Sequence, residues 1–460
     1  MINRILEIAS KTPNKLAYIN NDSSLTYKEL VDKASILATK LKTYKENNIV
    51  LYGHKELFMP ISILACVLSN KTYIPIDYLY PKNRIDNILK SLKSYIILSD
   101  LKLDGYKTYN IDNLPVGNNT NDSKNKYRYI IFTSGSTGSP KGVQINKDNL
   151  DGFISWISHT YPFNSYKDQV ILNTASYSFD LSVMDYYYSL CNGHSIVAYD
   201  NKNDDFNYPF DLLNKYKVNI IVSTPTFIRM CLLNSEFNSI TYPDIKCIFF
   251  CGEQLNKAIV RKLYDRFPNI KLINAYGPTE ATCAVSCHLL NKDDIDRYDY
   301  LPVGDMNNLS CDVKVINDEI VLSGKCVFDG YLSSNTKVDV YHTNDIGEIK
   351  DDLLFCKGRL DNQIKYSGYR IELEDIESTL NSMKQIEASI VITKRNVHNE
   401  VIGLVAYVET NKNISIEDIK DYLKTRLPKY MIPSSIKIVD KLEINNNGKV
   451  DRNKYKYDKC

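Results

Sequence analysis

Between Tyr129 and Ile145 the chain reads YIIFTSGSTGSPKGVQI. Four apolar residues run straight into Thr133, Ser134, Gly135, Ser136, Thr137, Gly138 and Ser139, and Lys141 follows. Such a stretch has nothing to bury. Its glycines let backbone N–H groups turn toward an anion, its hydroxyls add donors, and the lysine adds charge. This is the chemistry of a loop that holds phosphates. It is not the nucleotide loop in which Ser or Thr follows the lysine directly, because Gly142 and Val143 come next. A Gly/Ser linker is the plain alternative, and a linker would not be joined tightly to a strand-like run on one side and to KGVQI on the other.

The elements that would present this loop alternate along the chain. NIVLYG precedes the helical PISILACVLSN, NIIVSTP precedes TFIRMCLLN, and DIKCIFFCGEQL runs into NKAIVRKLYDRF and then KLINAYGPTE. Strands alternating with helices predict an α/β chain of parallel-type sheets covered by helices. Ligands in such sheets sit beyond the carboxyl ends of the strands. Three loops leave strands there: Thr133 onward, Cys251–Glu253 and Tyr276–Glu280. From about Asp361 the pattern becomes a compact α+β unit, with Ser415 placed to cap the helix SIEDIKDYLKTRL. The expected division is a large domain, 1–360, and a small one, 361–460.

Composition excludes other classes. A net charge of +2 with interspersed signs advertises no nucleic-acid partner. The longest apolar stretch, Leu57–Leu68, is too short to span a bilayer. The N-terminal segment lacks the apolar centre of a signal peptide. The 11 cysteines are scattered without metal-ligand spacing and read as free thiols of a cytoplasmic protein.

FTSGSTGSPKGV resembles the signature loop of the adenylate-forming enzymes, a family that includes amino-acid adenylation domains, acyl-CoA synthetases and luciferases. LTYKEL, YIPID, NAYGPTE, GRLDNQIKYSGYRIELEDIE, LPKYMIP and NGKVDR follow the family's motifs in order, so the resemblance covers nearly the whole chain. It implies a distorted β-barrel beside the sheets and a small mobile C-terminal lid. SFDLSVMD and FFCGEQL resemble the amino-acid branch, where an Asp in the first motif pairs with the substrate's α-ammonium. That role falls on Asp180. Leu181, Met184, Cys251, Ala275, Cys283 and Ala284 fall on the other pocket-lining positions. Cys251 stands where peptide-synthetase modules usually have glycine, and a thiol there would narrow the pocket and bias chirality. For Asp180 a helix cap or a solvated residue, and for Cys251 and Met184 simple core packing, are the alternative readings.

The resemblance further implies ATP and Mg²⁺. The triphosphate falls to Thr133, Ser134, Gly135, Thr137 and Lys141, the α-phosphate to Thr279, and the magnesium to Glu280. Tyr276 falls at the adenine, Asn274 among the ATP-binding positions, Asp345 at the ribose, and Arg359 near the ribose and phosphates. Asn344 stands where the family usually has Gly, and Asn tolerates positive φ better than most residues. Lys449 is the implied catalytic residue for adenylation, Asp361 the hinge, and Gly368 the wall of a pantetheine channel. The expected reaction is that of an AMP-forming ligase: ATP-dependent activation of an amino acid, D-alanine first, then transfer to the phosphopantetheine thiol of a carrier protein acting in trans. Three alternatives stay open: an adenylating enzyme for another small amino acid, an acyl-CoA synthetase, and an inactive nucleotide-binding protein.

Overall fold

The structure, a computed structural model, describes residues 1–21, 23–118, 125–135, 140–200, 205–334, 336–366, 368–396, 401–410, 412–443 and 452–455. The chain divides into two compact units: Met1–Tyr78, Leu92–Ile131 and Gly142–Leu360 form one, and Leu79–Ser91, Phe132–Lys141 and Asp361–Cys460 the other.

The larger unit is built on an eight-stranded sheet. Its strands lie in the order Ser286–Leu289, Lys271–Tyr276, Cys247–Phe250, Ile220–Ser223, Val170–Asn173, Ser195–Ala198, Leu16–Asn20 and Ser23–Thr26. The inner strands run parallel and the two edge strands antiparallel. Successive side chains on a strand point to opposite faces, and the sequence meets that condition with apolar residues on both. Ile171, Ile196, Val222 and Phe249 join one core, while Leu172, Val197, Ile221 and Ile248 join another. That is why these strands read as unbroken hydrophobic runs, as strands covered on both faces do.

A six-stranded sheet follows the order Thr108–Tyr109, Tyr95–Leu98, Asn48–Gly53, Thr72–Asp77, Tyr127–Thr133 and Lys141–Asn146. Where the resemblance implies a distorted barrel, the larger unit carries a five-stranded antiparallel sheet that includes Val340–Lys350 and Leu353–Arg359. In the smaller unit, three strands, Ala388–Arg395, Val401–Glu409 and Ser435–Val439, pack with the helices Leu373–Asn381 and Ile416–Lys424 around Ile376, Val391, Ala406 and Ile419. Ser415 caps the second helix through a capping box with Asp418.

One expectation is corrected. Not all cysteines are free thiols: Cys311 and Cys326 form a disulfide with a Cα–Cα distance of 5.7 Å. The reason is register. Cys311 precedes the strand Asp312–Ile316 and Cys326 follows Glu319–Ser323, and these strands pair antiparallel with Asp312 opposite Ser323. A hairpin therefore brings the two cysteines side by side, which their separation of 15 residues does not disclose.

Candidate functional site

In the larger unit, the strand Lys271–Tyr276 ends at a loop the sequence singles out. The Tyr276 hydroxyl donates to Asp345 Oδ2 at 2.6 Å, and Arg359 Nη1 lies 2.7 Å from Asp345 Oδ1. Asp345 and Arg359 face each other across paired strands. Asp345 is 2% exposed, so this carboxylate is held by two donors in the interior. Burial, followed by the Asp345 charge, pushes the Tyr276 phenol well above its ordinary pKa and keeps it a donor. Asn344 adopts φ +58°, the left-handed conformation expected of it. Glu319 accepts from the Asn344 backbone N–H at 2.8 Å, and the Asn344 carbonyl accepts from Leu360 N at 2.8 Å. The Asn274 side-chain amide, by contrast, donates inside the unit to the Pro302 carbonyl at 2.8 Å.

Beyond Tyr276 the chain turns through a short 3₁₀ segment, Thr279–Ala281, and then places Thr282 at φ +60° and Cys283 at φ +75°. Two successive non-glycine residues in the left-handed region cost about 1–3 kcal/mol each. Neighbours hold them there: Thr282 Oγ1 donates to the Cys326 carbonyl at 3.0 Å, and Phe328 N donates to the Glu280 carbonyl at 2.8 Å. A Cβ on Gly277 would meet Ala284 Cα at 2.5 Å, so only glycine lets these backbones approach. Glu280 is fully buried, and its Oε1 accepts from the Tyr331 hydroxyl at 2.7 Å. A fixed carboxylate oxygen suits a hard cation. No cage of three or more His, Cys, Asp or Glu side chains exists among the described residues. Magnesium carried on a nucleotide's phosphates asks a protein for one or two carboxylates and no cage, so Glu280 fits that group.

The residues assigned to an amino-acid pocket are nearly all buried. Leu181, Met184, Cys251, Ala275, Cys283 and Ala284 belong to one core cluster, and the Cys251 thiol donates to the Cys283 carbonyl at 3.9 Å. Burial, then the charge of Asp180 and the thiol of Cys251, push the Cys283 thiol far up. Asp180 begins a short helix but its side chain does not cap it, which removes the capping alternative. That helix opens into a π-turn at Met184–Tyr188, a widened geometry often found at functional sites. The widened turn accompanies three consecutive buried tyrosines. Tyr186 donates to the Pro60 carbonyl at 2.7 Å and Tyr188 to the Phe163 carbonyl at 3.0 Å. Sequence reasoning missed this turn, and the run YYY was its only trace.

In the smaller unit, Thr133 and Ser134 are buried. Ser134 Oγ donates to the Arg370 carbonyl at 2.8 Å and accepts from Glu372 N at 3.1 Å. Gly135 follows it, and Lys141 opens the next strand. Gly368 adopts φ +82°, and Asp361 accepts from Gln363 N at 3.2 Å. Thr137 and Lys449 lie outside the described residues.

Among the described residues no helix is long and apolar enough to cross a membrane. Residues 6–332 match the AMP-binding enzyme family, and residues 375–449 match the AMP-binding enzyme C-terminal domain. The D-alanine--D-alanyl carrier protein ligase of Bacillus licheniformis is 34% identical, over 99% of this chain and 99% of its own. That of Staphylococcus epidermidis is 35% identical, over 99% and 98%. Among solved structures, a Vibrio cholerae adenylation domain in complex with glycyl-adenosine-5'-phosphate gives a TM-score of 0.83 at 22% identity, covering 97% of this chain and 95% of that one. A nonribosomal peptide synthetase protein containing adenylation and PCP domains gives 0.82 at 22%, covering 99% and 83%. The structural likenesses show the adenylation-domain fold. The full-length sequence matches show more: the chain belongs to the AMP-binding enzymes, in the family of the D-alanine--D-alanyl carrier protein ligases.

Proposed function

We propose that this chain activates D-alanine with ATP and passes it to the phosphopantetheine thiol of a separate carrier protein. The likeness to the D-alanine--D-alanyl carrier protein ligases over the whole chain carries this reading. In the first half-reaction, a carboxylate oxygen of the amino acid bonds to the α-phosphorus of ATP and pyrophosphate leaves. The carboxylate is already ionised at neutral pH, so no general base is needed. The protein contributes positioning and charge neutralisation. Thr133, Ser134, Gly135, Thr137 and Lys141 hold the triphosphate, and Thr279 reaches the α-phosphate. Tyr276 stacks on the adenine, and Asn274 belongs to the ATP site. Asp345, steadied by Arg359, takes the ribose hydroxyls. Glu280 would hold magnesium, which supplies positive charge to the phosphate oxygens when bound. Asp180 pairs with the substrate ammonium, and Leu181, Met184, Cys251, Ala275, Cys283 and Ala284 bound the side-chain space. Lys449 brings its ammonium to the carboxylate and the α-phosphate.

In the second half-reaction the carrier's thiol sulfur bonds to the acyl carbon and AMP leaves. Residues 1–360 and 361–460 serve as body and lid, Asp361 is the hinge, and Gly368 keeps the pantetheine path open. ATP as a substrate is in keeping with a cytoplasmic reaction. The test is amino-acid-dependent ATP–pyrophosphate exchange over D- and L-amino acids, with fatty and aryl acids as controls. Exchange with D-alanine and with small analogues next is the expected result. Exchange driven by fatty or aryl acids and not by D-alanine overturns the reading.

A further inference from the structure

Two neighbouring side chains reach inward from the turn after the strand Asn48–Gly53, and the reaction above uses neither. His54 is 1% exposed and Lys55 is 0% exposed. The Lys55 ammonium donates to Asn173 Oδ1 and to the Ala175 carbonyl. It also lies 5.2 Å from the centre of the Tyr177 ring. The Asn173 amide donates in turn to the Ala175 carbonyl at 3.2 Å and to Asp185 Oδ2. On the other side, His54 Nδ1 lies 2.7 Å from Asp77 Oδ2, and His54 Nε2 lies 3.5 Å from Asp200 Oδ1. Asp77 Oδ2 also accepts from Ser176 Oγ at 2.6 Å, and Ser176 Oγ is 3.0 Å from Ser178 Oγ.

These contacts converge on one arc of backbone, Asn173 to Ser178, which leads two residues later into Asp180. Asp185, beyond Asp180, is tied back to the same arc through Asn173. Burial pushes the Lys55 amine down and the Asp185 carboxyl up, each partly offset by the other's charge. Removing such groups from water is costly, and an apolar replacement of like volume is often neutral or better for stability. A cluster buried at that cost beside the segment proposed to select substrate calls for a role in placing that segment.

We propose that Lys55, Asp77 and Ser176 are positioning residues that fix the arc 173–178 and so set where the Asp180 carboxylate meets the substrate ammonium. The inference rests on the reading of Asp180 as the ammonium's partner. It predicts a loss confined to amine recognition. ATP–pyrophosphate exchange on the full chain, with D-alanine and with propionate, which keeps the carboxylate and carbons but lacks the amine, reads this directly. Ser176→Ala and Lys55→Met should each lower kcat/KM for D-alanine by about 10- to 100-fold. The rate with propionate and the KM for ATP should stay unchanged, and Ser176→Thr, which keeps the hydroxyl, should restore the D-alanine preference. Ser176→Ala removes a single oxygen and carries the test if Lys55→Met fails to fold. An unchanged D-alanine-to-propionate ratio in Ser176→Ala, or parallel loss with both acids, overturns the inference while the wild type still requires the amine. A wild type indifferent to the amine overturns both this inference and the reading of Asp180.

Discussion

In the proposed reaction one carboxylate and two thiols would divide the work of choosing a substrate, and their parts can be separated. Asp180 would answer for the amine, and the thiols of Cys251 and Cys283 for the space around Cα. Asp180→Asn keeps the shape and removes the charge, so the ammonium loses its ionic partner in a dry pocket. A loss of about 1–3 kcal/mol, roughly 5- to 150-fold in kcat/KM for D-alanine, is expected, with the KM for ATP unchanged. Steady-state exchange kinetics check this. Cys251 would act by volume. With the ammonium and carboxylate both anchored, the methyl and hydrogen of alanine share the two remaining directions at Cα, and a thiol in one of them admits only hydrogen. Cys251→Ala should therefore raise kcat/KM for L-alanine relative to D-alanine, by roughly 10- to 200-fold if a full methyl is accommodated. An unchanged D/L ratio would place chiral control elsewhere in the pocket wall.

The elements were legible in the sequence where one physical rule decided them. The strands of the eight-stranded sheet are apolar on both faces because both are covered, and their sequence runs show it at Ile220–Ser223 and Cys247–Phe250. The motif loops at Thr133 and Tyr276 stand out because glycine, hydroxyl and charge follow apolar runs. What was not legible depends on partners distant in the chain. The Cys311–Cys326 bond follows from hairpin register, the π-turn at Met184–Tyr188 accompanies a crowded interior, and the ties from Lys55 to Asn173 cross 118 positions. Asn344 lies between these cases: its type announced a left-handed turn, and only the fold shows that the turn sits next to Asp345. Asn344→Gly should thus be tolerated, while Asn344→Val should cost about 1–2 kcal/mol in the left-handed region and raise the KM for ATP. Thermal unfolding with and without ATP measures both. A second element-scale expectation concerns His194, at the entrance to the strand Ser195–Ala198. Its Nδ1 accepts from Gln169 N at 3.2 Å, so the ring is held neutral, and burial, then the charge of Lys15, push its pKa down to about 4. Because the folded value lies below the unfolded one, the stabilisation is full above about pH 6.5 and is lost as pH falls toward 4, at most about 3 kcal/mol. Urea midpoints of the wild type should fall across that window, and those of His194→Asn should fall less.

At the scale of the molecule, the question is how one chain serves two half-reactions. Lys449 sits in NGKVDR, where the match to the C-terminal domain ends, and lies outside the described residues. Its proposed work is confined to the first half-reaction, in which negative charge gathers between the attacking carboxylate and the α-phosphate and an ammonium can neutralise it. The second half-reaction breaks the bond between acyl carbon and AMP by a thiol, and the activation already stored in the mixed anhydride drives it. A lysine needed for the first step alone can be removed without touching the second. Lys449→Ala should therefore lose most ATP–pyrophosphate exchange, yet still transfer D-alanine from supplied D-alanyl-adenylate to a phosphopantetheinylated carrier at near the wild-type rate. Single-turnover transfer from the synthetic adenylate, followed by mass analysis of the carrier, separates the two steps. Equal loss of both would mean that Lys449, or the segment that bears it, serves the fold of the lid and not the chemistry of one step.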